Sequence, residues 1–120
     1  MTGPAFTLPE ELQALKGSAR SFAEREIAPV AEEAERTETF PRELFRKAGQ
    51  SGFIGMRYPE SLGGSGAGIT AEVVWREETS RVNAGIGSVL SVPGNIGSFP
   101  IYEFGNDEQQ QKFKIGTAHV

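Results

Sequence analysis

Apolar side chains recur at three- and four-residue steps through the first third of the chain, as on one face of an α-helix. The residues on this stripe are Leu12, Leu15, Ala19, Phe22, Ile27, Val30 and Ala34. The pattern predicts a long helix within TLPEELQALKGSARSFAEREIAPVAEEAER, with a solvated face along its Glu-rich end. Thr7 and Glu10 have the spacing of a capping box at its start. Pro29 lacks an amide hydrogen, which predicts a kink or interruption near Ala28.

Two further helices follow the same reasoning. One is predicted from Pro41 to about Gln50, with Gly52 as its stop signal. The short apolar stretch FIGMRYPES that follows is where we expect at most one short strand. The next helix is predicted from Thr70 to about Arg81. Its expected buried side is formed by Val73, Val74, Trp75 and Val82.

Charged residues on this later helix are spaced for local ion pairs. Glu72 precedes Arg76, and Glu77 precedes Arg81, by four residues each, and such pairs contribute about 0.2–0.5 kcal/mol. Glu77 and Glu78 could be interpreted as catalytic carboxylates. Because adjacent helical positions point about 100° apart, the two cannot form one site, and a solvated helix face is the better interpretation.

The stretch NAGIGSVLSVPGNIGSFPIYEFG is small, apolar and nearly uncharged, so we expect it to be buried on most sides. Pro93, Gly94 and Pro100 should break it into short helices. Asn106 then caps a last helix, with Gln109 at its third position.

These elements add up to an all-α fold, a bundle of about five to six helices in a single domain over residues 1–120. The net charge is −4 and no basic cluster is present, so no nucleic-acid partner is expected. The chain has no cysteine and one histidine, His119, which argues against disulfides, a metal site or a histidine-based catalytic site. No apolar run approaches the ~20 residues of a membrane span and no targeting signal is visible, so a cytoplasmic location is expected.

The glycine-rich stretch LGGSGAGIT, residues 62–70, has two interpretations. Its glycines have part of the spacing of a phosphate-binding loop, but Ile69 stands where such a loop needs lysine. Gly64, Gly66 and Gly68 do not match the dinucleotide fingerprint, and the preceding apolar stretch has no parallel strand to pair with. A hinge, whose glycines permit positive φ and close packing, fits the residues better.

Four stretches follow one another along the chain with a specific order and spacing: EREIAPVAEEAER, FPRELFRKAGQSGFIGMRYPESLGGSGAGI, EETSRVNAGIGSVLSV and IYEFGNDEQQQKF. Together, across residues 8–113, they resemble the amino-terminal helical domain of the acyl-CoA dehydrogenases. In that family the stretch corresponding to PESLGGSGAG joins two helices. The resemblance implies α,β-dehydrogenation of acyl-CoA thioesters, with FAD as hydride acceptor and an electron-transfer acceptor as partner.

The same resemblance divides the chemistry among domains. The family's catalytic glutamate and most flavin contacts lie in a middle β domain and a carboxy-terminal helical domain. We therefore expect no catalytic residue in this chain, and no retention of FAD by the chain alone. Family members also continue differently from KIGTAHV, so the chain is expected to be either a truncated piece or a natural short form.

In this family the helices corresponding to the uncharged stretch line one wall of the acyl-chain cavity. The resemblance implies five acyl-pocket residues, Leu90, Val92, Pro93, Ile96 and Gly97, with Phe99 and Pro100 close by. Apolar walls with small side chains suit an acyl tail, although packing against other domains explains the same residues equally well. Trp75 and Tyr102 are expected to be core or interface residues.

Other identities remain open at this point. An acyl-CoA oxidase or a related flavin monooxygenase would carry the same helical domain. A non-catalytic helical interaction module is the alternative from another class. As an isolated fragment, the chain is expected to self-associate or exchange helices, because the helix faces that would cover the missing domains are left bare.

Overall fold

A computed structural model describes residues 7–113. The predicted long first helix is confirmed, and it runs without a break through three segments. Helix α1 spans Glu10–Phe22, a π-helical turn spans Ala23–Ile27, and helix α2 spans Ala28–Thr37. Its apolar stripe turns inward, with Phe22 and Ile27 buried in the core.

The predicted kink takes the form of this π turn, which ends just before the Ala28–Pro29 step. In a regular helix the proline ring would clash with the carbonyl four residues earlier. The wider turn accommodates this defect without ending the helix. The predicted capping box is wrong: Pro9 is the N-cap and no side chain caps the first turn. Thr7 lies two residues before the cap, and the Gln13 side chain donates to the Leu8 carbonyl instead, at 2.7 Å.

Helix α3 spans Glu43–Gln50, so it begins two residues after the predicted Pro41. The predicted stop is confirmed, because Gly52 has φ +81°. Its amide donates to the Gly49 carbonyl, and the Phe53 amide donates to the Ala48 carbonyl at 3.0 Å. This Schellman arrangement reverses the chain and directs Phe53 into the core.

Residues 53–58 form irregular turns, and no strand occurs between residues 7 and 113. Four apolar or aromatic side chains of this stretch are nevertheless buried: Phe53, Ile54, Met56 and Tyr58. A single 3₁₀ turn, Glu60–Leu62, precedes the glycine-rich loop. The apolar stretch therefore contributes core side chains without sheet pairing.

Four helices form the second half, joined by short turns and loops. It contains α4 (Ile69–Val82), α5 (Ala84–Ser91), α6 (Phe99–Phe104) and α7 (Asp107–Phe113). Turns at residues 92–98 separate α5 from α6, as the positions of Pro93 and Gly94 predict, whereas Pro100 lies in the first turn of α6. The cap of α7 is confirmed: the Gln109 amide donates to Asn106 Oδ1 at 2.8 Å, and Gln109 Oε1 accepts from the Asn106 amide.

With α1, the π turn and α2 taken as one continuous helix, the described chain has six helices and confirms the all-α fold. Helix α4 packs between α1 and α5. The centre of the core is aromatic. Phe53 and Trp75 stack with ring centroids 4.2 Å apart, and Phe22 meets Trp75 edge-on at 5.3 Å. These rings join α1, the turn after α3 and α4.

The predicted local ion pairs on α4 are wrong. Glu72 pairs with Arg57 in the preceding turns, and Glu78 pairs with Arg20 on α1, at 2.9 Å. Glu78 is only 3% exposed, so the solvated face predicted for it is wrong, whereas Glu77 is exposed as predicted. Since α4 has neighbours on two sides, these carboxylates meet cations from other elements. Arg81 does form a local pair, but with Glu78 at 3.2 Å and not with Glu77.

Glu78 and Val73 show two consequences of how α4 packs. The Arg20 hydrogen bond and its positive charge hold the pKa of Glu78 below the ordinary value. Val73, expected on the buried side, is 49% exposed, whereas Val74 and Trp75 are buried as predicted.

Candidate functional site

Most backbone amides between Leu62 and Gly68 donate to carbonyls of the same chain, and three examples show the pattern. The donors and acceptors are Gly64 to Pro59 (3.1 Å), Gly66 to Tyr58 (2.8 Å) and Ala67 to Met56 (2.7 Å). A phosphate-binding loop needs such amides free to face an anion. These bonded amides are therefore not free to hold a phosphate, or the diphosphate of the flavin that the resemblance implies.

The loop also lies too close to the backbone of the preceding turns to admit a ligand at Gly64. A Cβ on Gly64 would overlap the Tyr58 carbonyl oxygen and lie 2.6 Å from the Gly55 carbonyl oxygen. Gly66 has φ +64°, a conformation that favours glycine. The geometry thus supports the hinge interpretation, with glycines serving close packing and a left-handed bend.

The main surface feature is a run of exposed apolar side chains on α5, the following turns and α6, here called the apolar segment, residues 89–104. Its exposed side chains are Val89 (39%), Val92 (44%), Ile96 (75%), Phe99 (39%), Tyr102 (38%) and Phe104 (85%). Residues 83–102 contain no charged side chain. The expectation that this stretch is buried on most sides is wrong within residues 7–113, because only part of α5, including Ile86 and Leu90, is buried.

The five predicted pocket residues separate into two groups. Leu90 is fully buried in the core, so it supports the apolar segment from beneath. Val92, Ile96 and Gly97 are exposed, and Pro93 is half-buried. The structure thus brings four of the five to the surface of one turn.

Hydrogen bonds within the turn define its shape. The Gly97 amide donates to the Val92 carbonyl at 2.9 Å, and the Asn95 amide donates to the same oxygen at 3.2 Å. The Ser98 hydroxyl donates to the Pro93 carbonyl. These bonds occupy backbone groups internally and leave mainly apolar side chains to face outward.

Gly94 holds this turn against the chain that follows α3. A Cβ at Gly94 would lie 3.1 Å from the Gly55 amide nitrogen, so the two glycines meet almost backbone to backbone. Because both positions lack side chains, the turn can approach the core closely. Ile96 is the most exposed apolar side chain of the turn itself.

Helix α6 is held by two residues that sequence analysis did not single out. The Arg57 guanidinium carbon lies 5.4 Å from the centre of the Phe99 ring, and the Tyr58 ring lies 5.2 Å from the Tyr102 ring. Arg57 in turn pairs with Glu72 through two hydrogen bonds, at 2.6 and 3.1 Å, which raise its pKa. The sequence carried one signal for this contact, because Arg57 is the only charged residue in the otherwise apolar stretch FIGMRYP.

The Tyr58 hydroxyl is buried and has no hydrogen-bond partner within the described chain. Burial raises the pKa of Tyr58 to about 12, so the phenol stays neutral at physiological pH. It therefore cannot serve as a base at neutral pH.

Two other kinds of site find no support between residues 7 and 113. No group of histidine, aspartate or glutamate side chains there is arranged to hold a metal ion. None of the helices found there is long and apolar enough to cross a membrane. His119, the only histidine, lies outside the described residues.

A family model and several relatives show which family this chain belongs to. The family model "Acyl-CoA dehydrogenase, N-terminal domain" matches residues 9–119. An acyl-CoA dehydrogenase of Bacillus subtilis (strain 168) is 40% identical over 104 residues, which cover 87% of this chain and 27% of that protein. A 3-(aryl)acrylate reductase of Clostridium sporogenes is 39% identical, with 87% of this chain and 28% of that protein covered.

Solved structures give the same result. Butyryl-CoA dehydrogenase from Megasphaera elsdenii superposes with a TM-score of 0.84 at 27% identity, over 93% of this chain and 30% of that chain. A chain from a structure described as "Electron transferring flavoprotein of Acidaminococcus fermentans" superposes with a TM-score of 0.84 at 37% identity, over 96% and 30%. The chain thus spans less than a third of the length of these relatives. It belongs to the acyl-CoA dehydrogenase family and corresponds to the family's N-terminal domain.

Proposed function

We propose that this chain forms one wall of the acyl-chain pocket in a FAD-dependent acyl-CoA dehydrogenase that carries out α,β-dehydrogenation of acyl-CoA thioesters. One observation carries the proposal: the turn between α5 and α6 presents Val92, Ile96 and Gly97 outward within a stretch, residues 83–102, that lacks any charge. Family membership supplies the reaction class.

The physical role of such a wall is to remove the acyl chain from water. Burying each methylene is worth about 0.8 kcal/mol. A side chain that projects into the pocket discriminates chain length by about 1–3 kcal/mol per methylene. Ile96, which projects farthest from the turn by exposure, is the residue we assign to this discrimination.

The flavin and the catalytic base are proposed to lie in other parts of the enzyme. Most amides of the glycine-rich loop are bonded internally, which supports a flavin site elsewhere. The chain alone should neither retain FAD nor oxidise a thioester. Within the complete enzyme we expect an electron-transferring flavoprotein as acceptor, a partner class named in the description of one similar structure.

A chimera tests the wall directly. This chain replaces the matching N-terminal portion of the B. subtilis relative, and kcat/KM is measured with short, medium and long straight-chain acyl-CoAs. Ile96→Phe should lower kcat/KM about tenfold for the longest acceptable chain and leave the shortest unchanged. Val73→Phe, at an exposed position on α4, is the control and should leave the ratio unchanged. Equal effects of Ile96→Phe on all substrates would contradict the wall.

A second experiment uses the isolated chain. Its absorbance spectrum after incubation with FAD and desalting should lack the flavin bands, and an electron-acceptor assay with acyl-CoAs should show no turnover. Bound flavin together with turnover would refute the proposal that the flavin and the catalytic base lie in other parts of the enzyme.

The two aromatic side chains Phe99 and Tyr102 favour a second candidate substrate, an aromatic acyl group that stacks on them. A 3-arylpropanoyl-CoA added to the substrate series distinguishes the two candidates. A preference for it that Phe99→Leu abolishes would favour the aromatic substrate.

A further inference from the structure

We propose that Arg57 is a positioning residue for the acyl wall: clamped by Glu72, its guanidinium holds the Phe99 ring and so sets the place of helix α6 beside the pocket. The effect on substrates rests on the proposed function. The placement of α6 by Arg57 is independent of the proposed function, and it can be measured on this chain alone.

Helix α6 needs an external anchor. It has six residues, none of them buried, which is too short for a helix to persist on its own. Phe99 and Tyr102 are three positions apart and therefore lie on one face of it. This face rests on two consecutive residues of the preceding turns, Arg57 under Phe99 and Tyr58 beside Tyr102.

Arg57 is itself immobilised. Its Nε donates to one carboxylate oxygen of Glu72 at 2.6 Å and an Nη donates to the other at 3.1 Å. The two side chains are 15% and 11% exposed, so water competes little for this pair. A bidentate pair fixes the plane of the guanidinium. With its edge held, the guanidinium keeps its contact with the aromatic ring.

The arrangement links α4 to the exposed wall. Glu72 lies in the first turn of α4, and Phe99 is the first residue of α6. An attraction between the cation and the ring electrons adds direction to what would otherwise be a non-directional apolar contact. A loosened Arg57 should therefore let α6 and Phe99 shift, whereas the Phe53–Trp75 core stays in place.

Hydrogen exchange on the isolated chain tests this placement by a double-mutant cycle. The readouts are the amides of Tyr102 and Gly105, which donate to the Ser98 and Ile101 carbonyls in and beside α6. Arg57→Met and Phe99→Leu should each speed exchange about three- to tenfold, the loss expected for a half-buried cation–π contact. The double variant should exchange no faster than the faster single variant.

Matched variants exclude a general loss of stability. Arg57→Met combined with Glu72→Gln removes both charges, so no buried carboxylate is left unpaired, and it should give the same faster exchange in α6. Arg46→Met removes an exposed arginine paired with Glu43 on α3 and should leave α6 unchanged. Exchange that rises equally in α1 and α4, or additive effects of Arg57→Met and Phe99→Leu, would overturn the proposal.

A spectroscopic signature separates positioning from mere support. In nitrogen-edited NMR spectra the Arg57 Nε–H resonance should move when Phe99→Leu removes the ring current, and Arg46 should not respond. Arg57→Lys keeps a cation near the ring and should restore part of the lost exchange protection. An Arg57 resonance that ignores Phe99→Leu would contradict the contact.

The chimera distinguishes failure of this proposal from failure of the proposed function. The Arg57→Met, Glu72→Gln double variant should change the ratio of kcat/KM between long and short acyl-CoAs at least threefold. Suppose that Ile96→Phe changes selectivity while this double variant lowers kcat/KM equally for all substrates. That result would overturn the specificity role of Arg57 and leave the proposed acyl wall supported. If Ile96→Phe changes nothing, the wall fails and the exchange cycle alone decides whether Arg57 places α6.

Discussion

Gly64 offers a stringent test of why the glycine-rich loop contains glycine. A Cβ there would overlap the Tyr58 carbonyl oxygen and lie 2.6 Å from both the Tyr58 carbonyl carbon and the Gly55 carbonyl oxygen. All three obstacles are backbone atoms, so Gly64→Ala must displace one chain segment from the other. The φ angle of Gly64 is not positive, so backbone strain does not enter.

The magnitude follows from what the displacement breaks. Overpacking against rigid atoms costs about 1–3 kcal/mol. The hydrogen bonds from Gly64 to Pro59 and from Gly66 to Tyr58 cross this contact, and weakening one costs a further ~1 kcal/mol. We therefore expect Gly64→Ala to lower the free energy of unfolding by about 2–4 kcal/mol, a large share of the ~6–18 kcal/mol typical for this length.

Two other glycines isolate the competing causes. Gly66 has open space for a Cβ but φ +64°, so Gly66→Ala should cost only the left-handed strain of about 1 kcal/mol. Gly17 has open space inside α1, so Gly17→Ala should stabilise by about 0.5–1 kcal/mol.

Urea unfolding followed by tryptophan fluorescence measures all three variants. Trp75 is the only tryptophan, is 1% exposed and stacks on Phe53, so its emission reports the core. A Gly64→Ala chain that unfolds at the wild-type urea concentration would refute the close-packed hinge. A ranking in which Gly66→Ala is the most damaging would show that strain, rather than space, selects glycine in this loop.

Three further predictions concern the Arg20–Glu78 ion pair, the Asn106 cap and the exposed apolar surface. Because Arg20 depresses the pKa of Glu78 below its ordinary 4.5, the pair stabilises the fold above that pH and is lost as pH falls through the folded-state pKa. Urea midpoints should therefore decline more steeply below about pH 4.5 in wild type than in Glu78→Gln, and parallel declines would contradict this. Asn106→Ala should speed hydrogen exchange in α7 by loss of its reciprocal cap, worth about 1 kcal/mol, with α1 unchanged. The isolated chain should self-associate through its exposed apolar side chains, and Phe104→Glu should reduce the mass measured by light scattering; a concentration-independent monomer would contradict this.

Local sequence patterns determined the helices well. The apolar stripe of α1, the stop at Gly52 and the Asn106 cap depend on residues within one or two turns of each other, so spacing alone predicts them. The cap at Thr7 failed because Pro9 begins the helix later than the box requires. The broken character of residues 92–100 followed from its prolines.

Long-range partners could not be predicted in this way. Glu72 and Glu78 have arginines four and three positions away, yet their strongest partners are Arg57 and Arg20, which tertiary packing brings close. The sequence likewise indicated an apolar wall near Pro93 but not that Leu90 faces the core. The partner of each glutamate depends on contacts between distant turns. The face that Leu90 occupies depends on the phase of the helix to within one residue.

The central claim is that the apolar segment lines an acyl pocket. An acyl-CoA with a photoreactive diazirine near the end of its tail, irradiated on the chimera, tests this most directly when the adducts are mapped by mass spectrometry. The account predicts adducts within residues 89–104, centred on Val92 and Ile96 and suppressed by excess unlabelled acyl-CoA. Adducts confined to other parts of the protein, at equal substrate occupancy, would contradict it.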